Sequence, residues 1–436
     1  MKAIGLDIGT TTISAVVLDL VKKKILTVKN IRNDSAIRSD NPWEAVQDPR
    51  RIIKKAMDLL DEIIGNYPDF YAIGLTGQMH GIVYLNKGGH FISPLYTWQD
   101  QSGNQPVFDG VSVVERAKRE YGLPVATGYG LATYLYHANK GLVPEGARYI
   151  CTIMDYLGMK LSGRKTPLMH VSNADSLGFF DTEKCCFDLD AISAMGGDTT
   201  LLPEVTATFD CLGTFRQIPV TVALGDNQAS FLGSVGVKEH VLLANVGTGG
   251  QISLLSDQYF EAPGIEARPI LPDRYLLAGS SLCAGKSYEI IEEFFRAYAV
   301  AAGLKNVPQY DVMAALLSDQ STGKESLTVE TTFQGTRMEP DKKGAITGIG
   351  VNNFTPQALI RGTLEGMARE LYSLYEVIRE GTGIEVSQVI ASGNGLRKNP
   401  VLMKIFQELF QAPLILSPYE EEAACGAAIS ATLRDA

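Results

Sequence analysis

Two glycine turns of the same type occur in the two halves of this chain, and both have the composition of a phosphate-binding loop. The first is at residues 7–12 (DIGTTT) and the second is at residues 245–250 (NVGTGG). Each lies between two apolar runs, which predicts a strand, a tight turn that needs glycine, and a second strand. Small side chains, accessible backbone N–H groups and threonine hydroxyls suit the oxygens of a phosphate.

The two turns differ in one charge. The first carries Asp7 where the second carries the neutral Asn245. One carboxylate can hold the Mg²⁺ of a magnesium nucleotide, whereas a second carboxylate beside the phosphates would repel them. Either turn alone could be a simple hairpin, but two copies in the same context favour a phosphate clamp built from two related domains.

Asp226 is the candidate catalytic residue. It lies in the segment Gly225-Asp226-Asn227, where the apolar run 220–224 predicts a buried strand that gives way to a helix. In α/β folds this position points into the ligand crevice. A carboxylate there can accept the proton of a sugar hydroxyl as its oxygen attacks the γ-phosphorus of ATP. The alternative is a helix N-cap, a role for which aspartate is favoured by about 1 kcal/mol.

Two first-half loops carry side chains that suit a polyhydroxylated ligand. Gln78, Met79 and His80 follow a predicted strand at residues 72–75, and Trp98 stands close to Asp100. Amide, imidazole and carboxylate groups beside an aromatic ring supply hydrogen bonds and a flat apolar surface. Taken singly, each of these residues could be purely structural.

Two second-half loops have partial nucleotide signatures. Residues 393–395 (GNG) lie between a predicted strand and helix, where a base or ribose could rest against the backbone; an ordinary connection is the alternative. Residues 279–287 (GSSLCAGKS) resemble a P-loop, but the first glycine is one residue too far from Gly285. We therefore predict a helix start there, with Gly285 and Lys286 near a nucleotide.

Composition narrows the function classes. The chain has 436 residues and a net charge of −10, which argues against nucleic acid or an anionic membrane as the main partner. The six cysteines and five histidines lack zinc-site spacing, so cytosolic thiols are expected. The chain enters a strand at once and contains no run long enough for a membrane span, and we therefore expect a cytoplasmic protein.

The order of predicted elements indicates two α/β domains. We predict helices at 49–64, 113–121, 286–302, 356–380 and 400–410, and strands at 72–75, 82–85, 220–224, 241–244, 252–255, 275–278 and 389–391. The domain boundary is expected near 233–240, which gives an N-terminal domain at 1–235 and a C-terminal domain at 236–436.

Together these motifs resemble the FGGY family of carbohydrate kinases over essentially the whole chain. They occur in family order at residues 7–11 (DIGTT), 76–81 (TGQMHG), 98–100 (WQD), 225–228 (GDNQ), 246–249 (VGTG), 333–337 (FQGTR), 361–366 (RGTLEG), 392–395 (SGNG) and 422–428 (EAACGAA). Within the family, the Gln-Met-His-Gly loop is similar to the ketose branch of xylulokinases and sedoheptulokinases. The Trp-Gln-Asp segment, with no arginine after Asp100, is more similar to the sedoheptulokinases.

The resemblance implies an α/β protein of two actin-like, ribonuclease H-like ATPase domains, which face an interdomain cleft and close on ATP and sugar. It implies that Asp7 helps to hold Mg²⁺ and that Asp226 is the general base. The implied nucleotide-binding residues are Thr10, Thr11, Thr12, Gly247, Thr248, Gly249, Gly285, Gly393, Asn394 and Asn399. The implied sugar-binding residues are Gln78, Met79, His80, Trp98, Asp100, Asp226 and Asn227.

The expected activity is therefore transfer of the γ-phosphate of Mg·ATP to a terminal hydroxyl of a ketose, with sedoheptulose as the expected acceptor, in a monomer or homodimer. D-xylulose or another pentulose or polyol is the alternative acceptor. A catalytically silent sugar-binding protein on this fold is the rival from another class, because fold does not fix function. The presence of Asp7, Asp226 and both turns argues against it, since a binder needs no base. A chaperone-like or actin-like ATPase would not need the loops around His80 and Trp98.

Overall fold

The computed structural model describes residues 1–318 and 327–435 of the chain. These residues form two compact units. The first unit comprises Met1–Gly236, Arg268–Arg274 and Tyr419–Ala436, and the second comprises Val237–Ala267 and Tyr275–Pro418. The first division falls within the boundary region expected from the sequence, but two later segments also pack with the first unit.

The strands are β1 (Lys2–Ile8), β2 (Thr12–Asp19), β3 (Lys24–Arg32), β4 (Ala36–Ile37), β5 (Val46–Gln47), β6 (Phe70–Gly77), β7 (Val83–Asn86), β8 (Leu95–Tyr96), β9 (Pro106–Phe108), β10 (Val111–Ser112), β11 (Ala147–Cys151), β12 (Leu168–His170), β13 (Phe180–Asp181), β14 (Cys186–Phe187), β15 (Glu204–Thr206), β16 (Cys211–Phe215), β17 (Ile218–Thr221), β18 (Leu224–Gly225), β19 (Val241–Val246), β20 (Gly250–Ser256), β21 (Ile265–Leu271), β22 (Arg274–Ser281), β23 (Thr328–Glu330), β24 (Ala345–Thr347), β25 (Gln388–Ser392) and β26 (Leu414–Leu416).

The α-helices are α1 (Pro49–Asn66), α2 (Val113–Arg116), α3 (Gly130–Lys140), α4 (Ile153–Ser162), α5 (Val171–Ser176), α6 (Leu189–Ala194), α7 (Asp226–Ser234), α8 (Gly285–Ala301), α9 (Tyr310–Ser318), α10 (Pro356–Thr382), α11 (Gly393–Arg397), α12 (Pro400–Phe410) and α13 (Glu422–Ser430). A π-helical turn continues α2 at Ala117–Tyr121, and 3₁₀ turns occur at Ser102–Asn104, Thr199–Leu201 and Leu433–Asp435.

The main sheet of the first unit has the strand order β16-β17-β6-β1-β2-β3. β2 is antiparallel to both of its neighbours, β1 and β3, whereas β6 runs parallel to β1 and β17 runs parallel to β6. β18 extends the parallel part of the sheet along β6. The parallel strands β1 and β6 are mostly buried, as expected for a sheet covered on both faces.

The main sheet of the second unit repeats this plan. Its order is β21-β22-β20-β19-β25-β26, with β19, β20 and β22 antiparallel and β25 and β26 parallel to β19. In both units the central strand begins a hairpin that contains a glycine turn, and its other neighbour is a parallel strand. The two turns seen in the sequence therefore occupy the same position in two sheets whose central strands are arranged alike.

Helices with a clear apolar stripe lie close to where the sequence predicts them. α1 was expected at 49–64 and spans Pro49–Asn66, with Asp48 as its N-cap and proline at its first position. α8, α10 and α12 also lie within two residues of their predicted ends. The helix expected at 113–121 is only partly regular, because α2 ends at Arg116 and a π turn follows.

The helix α13 fixes the position of α7 in the first unit. A Cβ atom built on Gly426 of α13 would lie 1.7 Å from the carbonyl oxygen of Ala229, and one on Gly233 of α7 would lie 2.0 Å from that of Glu422. The two helix backbones are therefore in direct contact at glycines. Since α7 begins at Asp226, this contact also sets the position of the candidate base.

No helix among the described residues combines the length and apolarity that a membrane crossing requires.

Candidate active site

The sheet of the first unit brings the two key carboxylates to one edge. Ile8 of β1 and Gly225 of β18 both pair with Gly77 of β6. These strands run parallel, so their carboxyl ends lie at the same edge, where α/β folds bind ligands. Asp7 directly precedes this row and Asp226 directly follows it.

Asp226 is the first residue of α7, and Gly225 is the N-cap. The capping role that the sequence allowed for Asp226 is therefore taken by another residue. Asn227 Nδ2 donates to Asp226 Oδ1 over 3.1 Å. Burial raises the pKa of Asp226 to about 6, against the opposing effects of Asn227 hydrogen bonds and the Arg268 charge. The group is thus a stronger base than free aspartate and is still mostly ionised at neutral pH.

Asp7 has an even stronger preference for a proton. Burial raises the pKa of Asp7 to about 7, and the neighbouring charges of Asp226 and Glu421 contribute to the rise. Asn30 Nδ2 donates to Glu421 Oε1 over 2.8 Å. A cation would relieve the repulsion between Asp7 and these two carboxylates, so the donor set suits one Mg²⁺ carried in by phosphates.

A complete all-protein metal site is not formed by residues 1–318 and 327–435. Among them, no group of three or more histidine, cysteine, aspartate or glutamate side chains is arranged to hold a metal ion.

The hydroxyl of Thr10, in the first glycine turn, is engaged by two of the predicted sugar-loop residues. It donates to Gln78 Oε1 over 3.3 Å and accepts from Trp98 Nε1 over 3.0 Å. Trp98 keeps 46% of its surface exposed, whereas Gln78 is buried. Thr11 and Thr12 are exposed at the end of the turn. The structure therefore joins the first turn to both predicted sugar loops.

His80 is held in a specific orientation within its loop. Its ring stacks on Tyr129 with centroids 4.7 Å apart and an interplanar angle of 3°. Its Nδ1 lies 2.6 Å from the carbonyl oxygen of Ser176, so Nδ1 carries the proton and Nε2 is left as the acceptor nitrogen. His80 also has a φ of 73°, a left-handed backbone conformation that is uncommon for residues other than glycine.

Asp100 has a structural role in its loop. It has no exposed surface, and its carboxylate accepts from Ser102 N over 2.9 Å, Thr133 Oγ1 over 3.2 Å and Ala45 N over 3.3 Å. Burial raises the pKa of Asp100, while these hydrogen bonds lower it. The sugar contact predicted for Asp100 stays a prediction.

Met79 lies beside the segment that carries the candidate base. Its thioether sulfur, Sδ, is 3.8 Å from Asn227 Nδ2, and a Cβ on Gly225 would come within 2.7 Å of its terminal methyl. Met79 is almost fully buried. It therefore packs against the Gly225-Asp226-Asn227 segment and connects the first sugar loop to the start of α7.

In the second unit, the glycine turn rests on the start of α8. Gly285 N donates to Gly247 O over 3.1 Å, and Lys286 N donates to Thr248 O over 2.9 Å. A Cβ on Gly285 would lie 2.2 Å from Gly247 O, so only glycine allows this approach. Thr248 is exposed. The P-loop-like segment is a helix start, as predicted, and its first amides support the turn.

The loop at Gly393 lies on the same strand end. Gly393 has a φ of 79°, and a Cβ there would lie 2.4 Å from Val246 O. Asn394 is exposed at the start of α11. Asn399 caps α12, because its Oδ1 accepts from Leu402 N over 3.0 Å. The second unit thus brings residues 247–249, 285 and 393–395 together, and Asn399 has a structural role.

Sequence reasoning missed several residues of this site. Glu421, Arg268, Asn33 and Gln47 contribute charge or hydrogen bonds, but none belongs to a recognisable motif. Glu421 directly precedes the motif at 422–428, which was the one available signal. The other three come from distant parts of the chain and are placed only by the tertiary fold.

Comparison with known proteins shows the relationship directly. Residues 2–233 match the family model described as "FGGY family of carbohydrate kinases, N-terminal domain", and residues 242–434 match the corresponding C-terminal domain. Sedoheptulokinase of Mus musculus is 27% identical to this chain over 99% of the chain and 97% of the relative.

Solved structures share the fold. A xylulose kinase from Rhodospirillum rubrum superimposes with a TM-score of 0.82 at 21% identity, covering 100% of this chain and 91% of that one. A Plasmodium falciparum glycerol kinase with ADP gives a TM-score of 0.80 at 18% identity, covering 100% of this chain and 89% of that one.

Proposed function

Because the chain belongs to the FGGY family of carbohydrate kinases and is therefore an ATP-dependent sugar phosphotransferase, we propose that its acceptor is a ketose, specifically sedoheptulose, phosphorylated at a terminal hydroxyl. The observation that carries this proposal is the placement of Asp226. Its carboxylate has a raised pKa and lies at the same sheet edge as Asp7, directly beside the Gln78-Met79-His80 loop.

In the proposed reaction Asp226 accepts the proton of the terminal hydroxyl. The freed oxygen lone pair forms a bond to the γ-phosphorus, and the bond between that phosphorus and the β,γ-bridging oxygen breaks, which leaves ADP with the bonding electrons. Bound Mg²⁺, a part of the nucleotide substrate, offsets the charge on the phosphate oxygens. Asp7 is proposed to orient that ion, and Thr10, Thr11 and Thr12 to line the phosphates.

The second unit is proposed to bind the rest of the nucleotide. Its exposed turn at Gly247, Thr248 and Gly249 suits phosphate oxygens, and the loop at Gly393 and Asn394 suits the adenosine. Asn399, whose side chain caps α12, is also proposed to lie near the adenosine. We propose the cytoplasm as the location and a monomer or homodimer as the assembly.

Sedoheptulose is favoured over a pentulose by two observations. The mouse relative that aligns over nearly the whole chain is a sedoheptulokinase. The segment Trp98-Gln99-Asp100 is followed by Gln101-Ser102-Gly103, without the arginine that a resemblance to xylulokinases would imply after Asp100. D-xylulose is the second candidate, on the basis of the structural likeness to a xylulose kinase.

A panel of acceptors tests the proposal. ADP release with Mg·ATP should be measured for sedoheptulose, D-xylulose, D-ribulose, L-ribulose and glycerol. We expect the largest kcat/KM for sedoheptulose, by about ten-fold or more over the pentuloses, because a built hydrogen-bonding site discriminates against analogues that lack its partner hydroxyls. A larger kcat/KM for D-xylulose would assign the second candidate. Sugar binding without turnover of any acceptor would favour the silent binder.

The pH profile reports the state of Asp226. The base acts only when it is deprotonated, and its pKa is raised to about 6. We expect kcat/KM for the ketose, at saturating Mg·ATP, to fall about ten-fold per pH unit below that value and to be level above it. Saturating Mg·ATP keeps Asp7 deprotonated through the bound cation. A profile that stays level down to pH 5, with the protein still folded, would contradict this role.

Gly285→Ala tests the support of the second turn. The added methyl group would lie 2.2 Å from Gly247 O and must displace residues 247–249. We expect KM for ATP to rise about ten-fold, with KM for the ketose little changed, because only the nucleotide side loses its geometry. Val300→Ala, at an exposed position of the same helix, is the control and should leave both values unchanged. Equal values for Gly285→Ala and the wild type would exclude a nucleotide role for this turn.

A further inference from the structure

Side-chain and backbone N–H groups from other parts of the first unit donate hydrogen bonds to the carbonyl groups of the first glycine turn. Asn33 contributes two of them, since its Nδ2 donates to Gly9 O and its N donates to Thr11 O, both over 2.8 Å. Gln47 Nε2 donates to Thr10 O over 2.9 Å. With their carbonyl oxygens occupied by the protein, these three residues do not direct partial negative charge at an incoming phosphate.

The hydrogen bond from Gln47 differs from those of Asn33 because the Gln47 side chain is also hydrogen-bonded to the sugar loop. Gln47 Oε1 accepts from Gln78 Nε2 over 2.9 Å, and Gln78 Oε1 in turn accepts from the Thr10 hydroxyl. The result is a closed ring of hydrogen bonds through Thr10, Gln47 and Gln78. Both glutamines are 4% exposed, so the hydrogen bond between them is shielded from water. Asn33 holds the same turn, and its side-chain oxygen accepts from Ser35 rather than from the sugar loop.

The elements that carry the ring explain its geometry. Gln47 is the last residue of β5, which pairs with β8 just before Trp98. Gln78 directly follows β6 and its N donates to Ile8 O over 2.9 Å. The ring therefore lies where the loop after β6, the loop after β8 and the turn after β1 converge. A displacement of the Gln78 side chain must therefore move Gln47 and Thr10 with it, or break the buried hydrogen bond between the two glutamines.

We propose that Gln47 is a positioning residue that couples sugar binding to the phosphate turn. A sugar that contacts the Gln78 loop fixes that side chain, and Gln47 then fixes the carbonyl and hydroxyl of Thr10 in the arrangement that receives the γ-phosphate. The ring so favours transfer to the sugar over transfer to water, because sugar contacts at the Gln78 loop add to the hydrogen bonds that hold Thr10 in this arrangement. This inference rests on the proposed kinase function.

The test compares Gln47→Met, which keeps the size of the side chain but has no donor, with Asn33→Leu, which removes a turn anchor outside the ring. The measured quantity is the ratio of Kd values for a Mg²⁺-bound, non-hydrolysable ATP analogue without and with saturating sedoheptulose, by calorimetry. We expect a ratio of about five or more in the wild type. We expect it to fall below about two in Gln47→Met and to be retained in Asn33→Leu, although the latter binds the analogue more weakly.

Kinetics and a second variant complete the test. Gln47→Met should lower kcat for the ketose about ten-fold, and by a larger factor than it lowers the rate of ATP hydrolysis without sugar. If Gln47→Met does not fold, Thr10→Val opens the same ring at its partly exposed end and should also abolish the ratio. Two results would overturn the inference. The wild type could show a Kd ratio near one, or a folded Gln47→Met or Thr10→Val variant could show the same Kd ratio as the wild type. Failure of the kinase proposal itself would give a different result, because the wild type would then phosphorylate none of the sugars.

Discussion

Asp226→Asn is expected to lower kcat/KM for the ketose about a thousand-fold while the protein still binds sugar and Mg·ATP. The amide keeps the shape of the side chain and can still accept from Asn227, but it cannot take a proton from the hydroxyl. General-base assistance contributes about 10²–10⁴ to such rates. ADP release, with sugar binding measured separately by calorimetry, checks this result.

The same variant should be more stable than the wild type at neutral pH. The folded-state pKa of Asp226 is about 6 whereas the ordinary value is 3.8, so the ionised group costs folding free energy. That cost is absent below the unfolded-state pKa and grows as the pH rises to about 6, above which it is complete. Asp226→Asn should therefore raise the melting temperature at pH 7.5, and the gain should vanish toward pH 4.

This pairing of lost activity with gained stability separates a catalytic role from a structural one. A residue that merely caps or packs α7 would lower both quantities when it is replaced. Asp226→Asn with nearly wild-type kcat/KM would remove the base from the account. Asn227→Asp is not a suitable control because it adds charge beside the site, whereas Asp190→Asn, on the short helix α6 away from this sheet edge, should change neither quantity.

Gly426→Ala is expected to destabilise the protein by about 3 kcal/mol and to lower its melting temperature by roughly 6–12 °C. A Cβ at this position would lie 1.7 Å from Ala229 O, so α13 and α7 must separate. The movement would carry Asp226 with it, and kcat should fall even at temperatures where the variant is folded. Thermal unfolding and ketose-dependent ADP release on the same sample measure the two effects.

Gly65→Ala is the matched control, since Gly65 lies near the end of α1 and has no atom within 4 Å of the added Cβ. It should change the free energy of unfolding by less than about 1 kcal/mol and leave kcat unaltered. If Gly426→Ala behaved like this control, the close packing of the two helices would not determine the position of the base.

Much of the fold follows from local patterns. The apolar stripe of α1 and the proline at its first turn predict its limits to within two residues, because both signals act within one helix. Likewise the two glycine turns predict two related hairpins, and the structure places each hairpin next to a parallel strand in the centre of its sheet. Asp226 was identifiable because the change from strand to helix occurs at that residue.

The remaining features depend on contacts between distant parts of the chain. The return of α13 to the first unit has no local signal, since its glycine and alanine side chains mark close packing without naming the partner. A lone glutamine at the end of a two-residue strand, such as Gln47, has no motif either. Asp100 appeared as a loop carboxylate, and only the fold shows that its oxygens accept from three donors of its own unit.

The central claim, that this chain phosphorylates a terminal hydroxyl of a ketose, is tested most directly by identifying the product. Sedoheptulose, Mg·ATP and the wild-type protein should be incubated together and followed by ³¹P NMR. The account predicts a new phosphate monoester on a primary carbon of the sugar, formed in equal amount to ADP and absent when Asp226→Asn replaces the wild type. Inorganic phosphate as the only product besides ADP, with this sugar and with each pentulose, would contradict it.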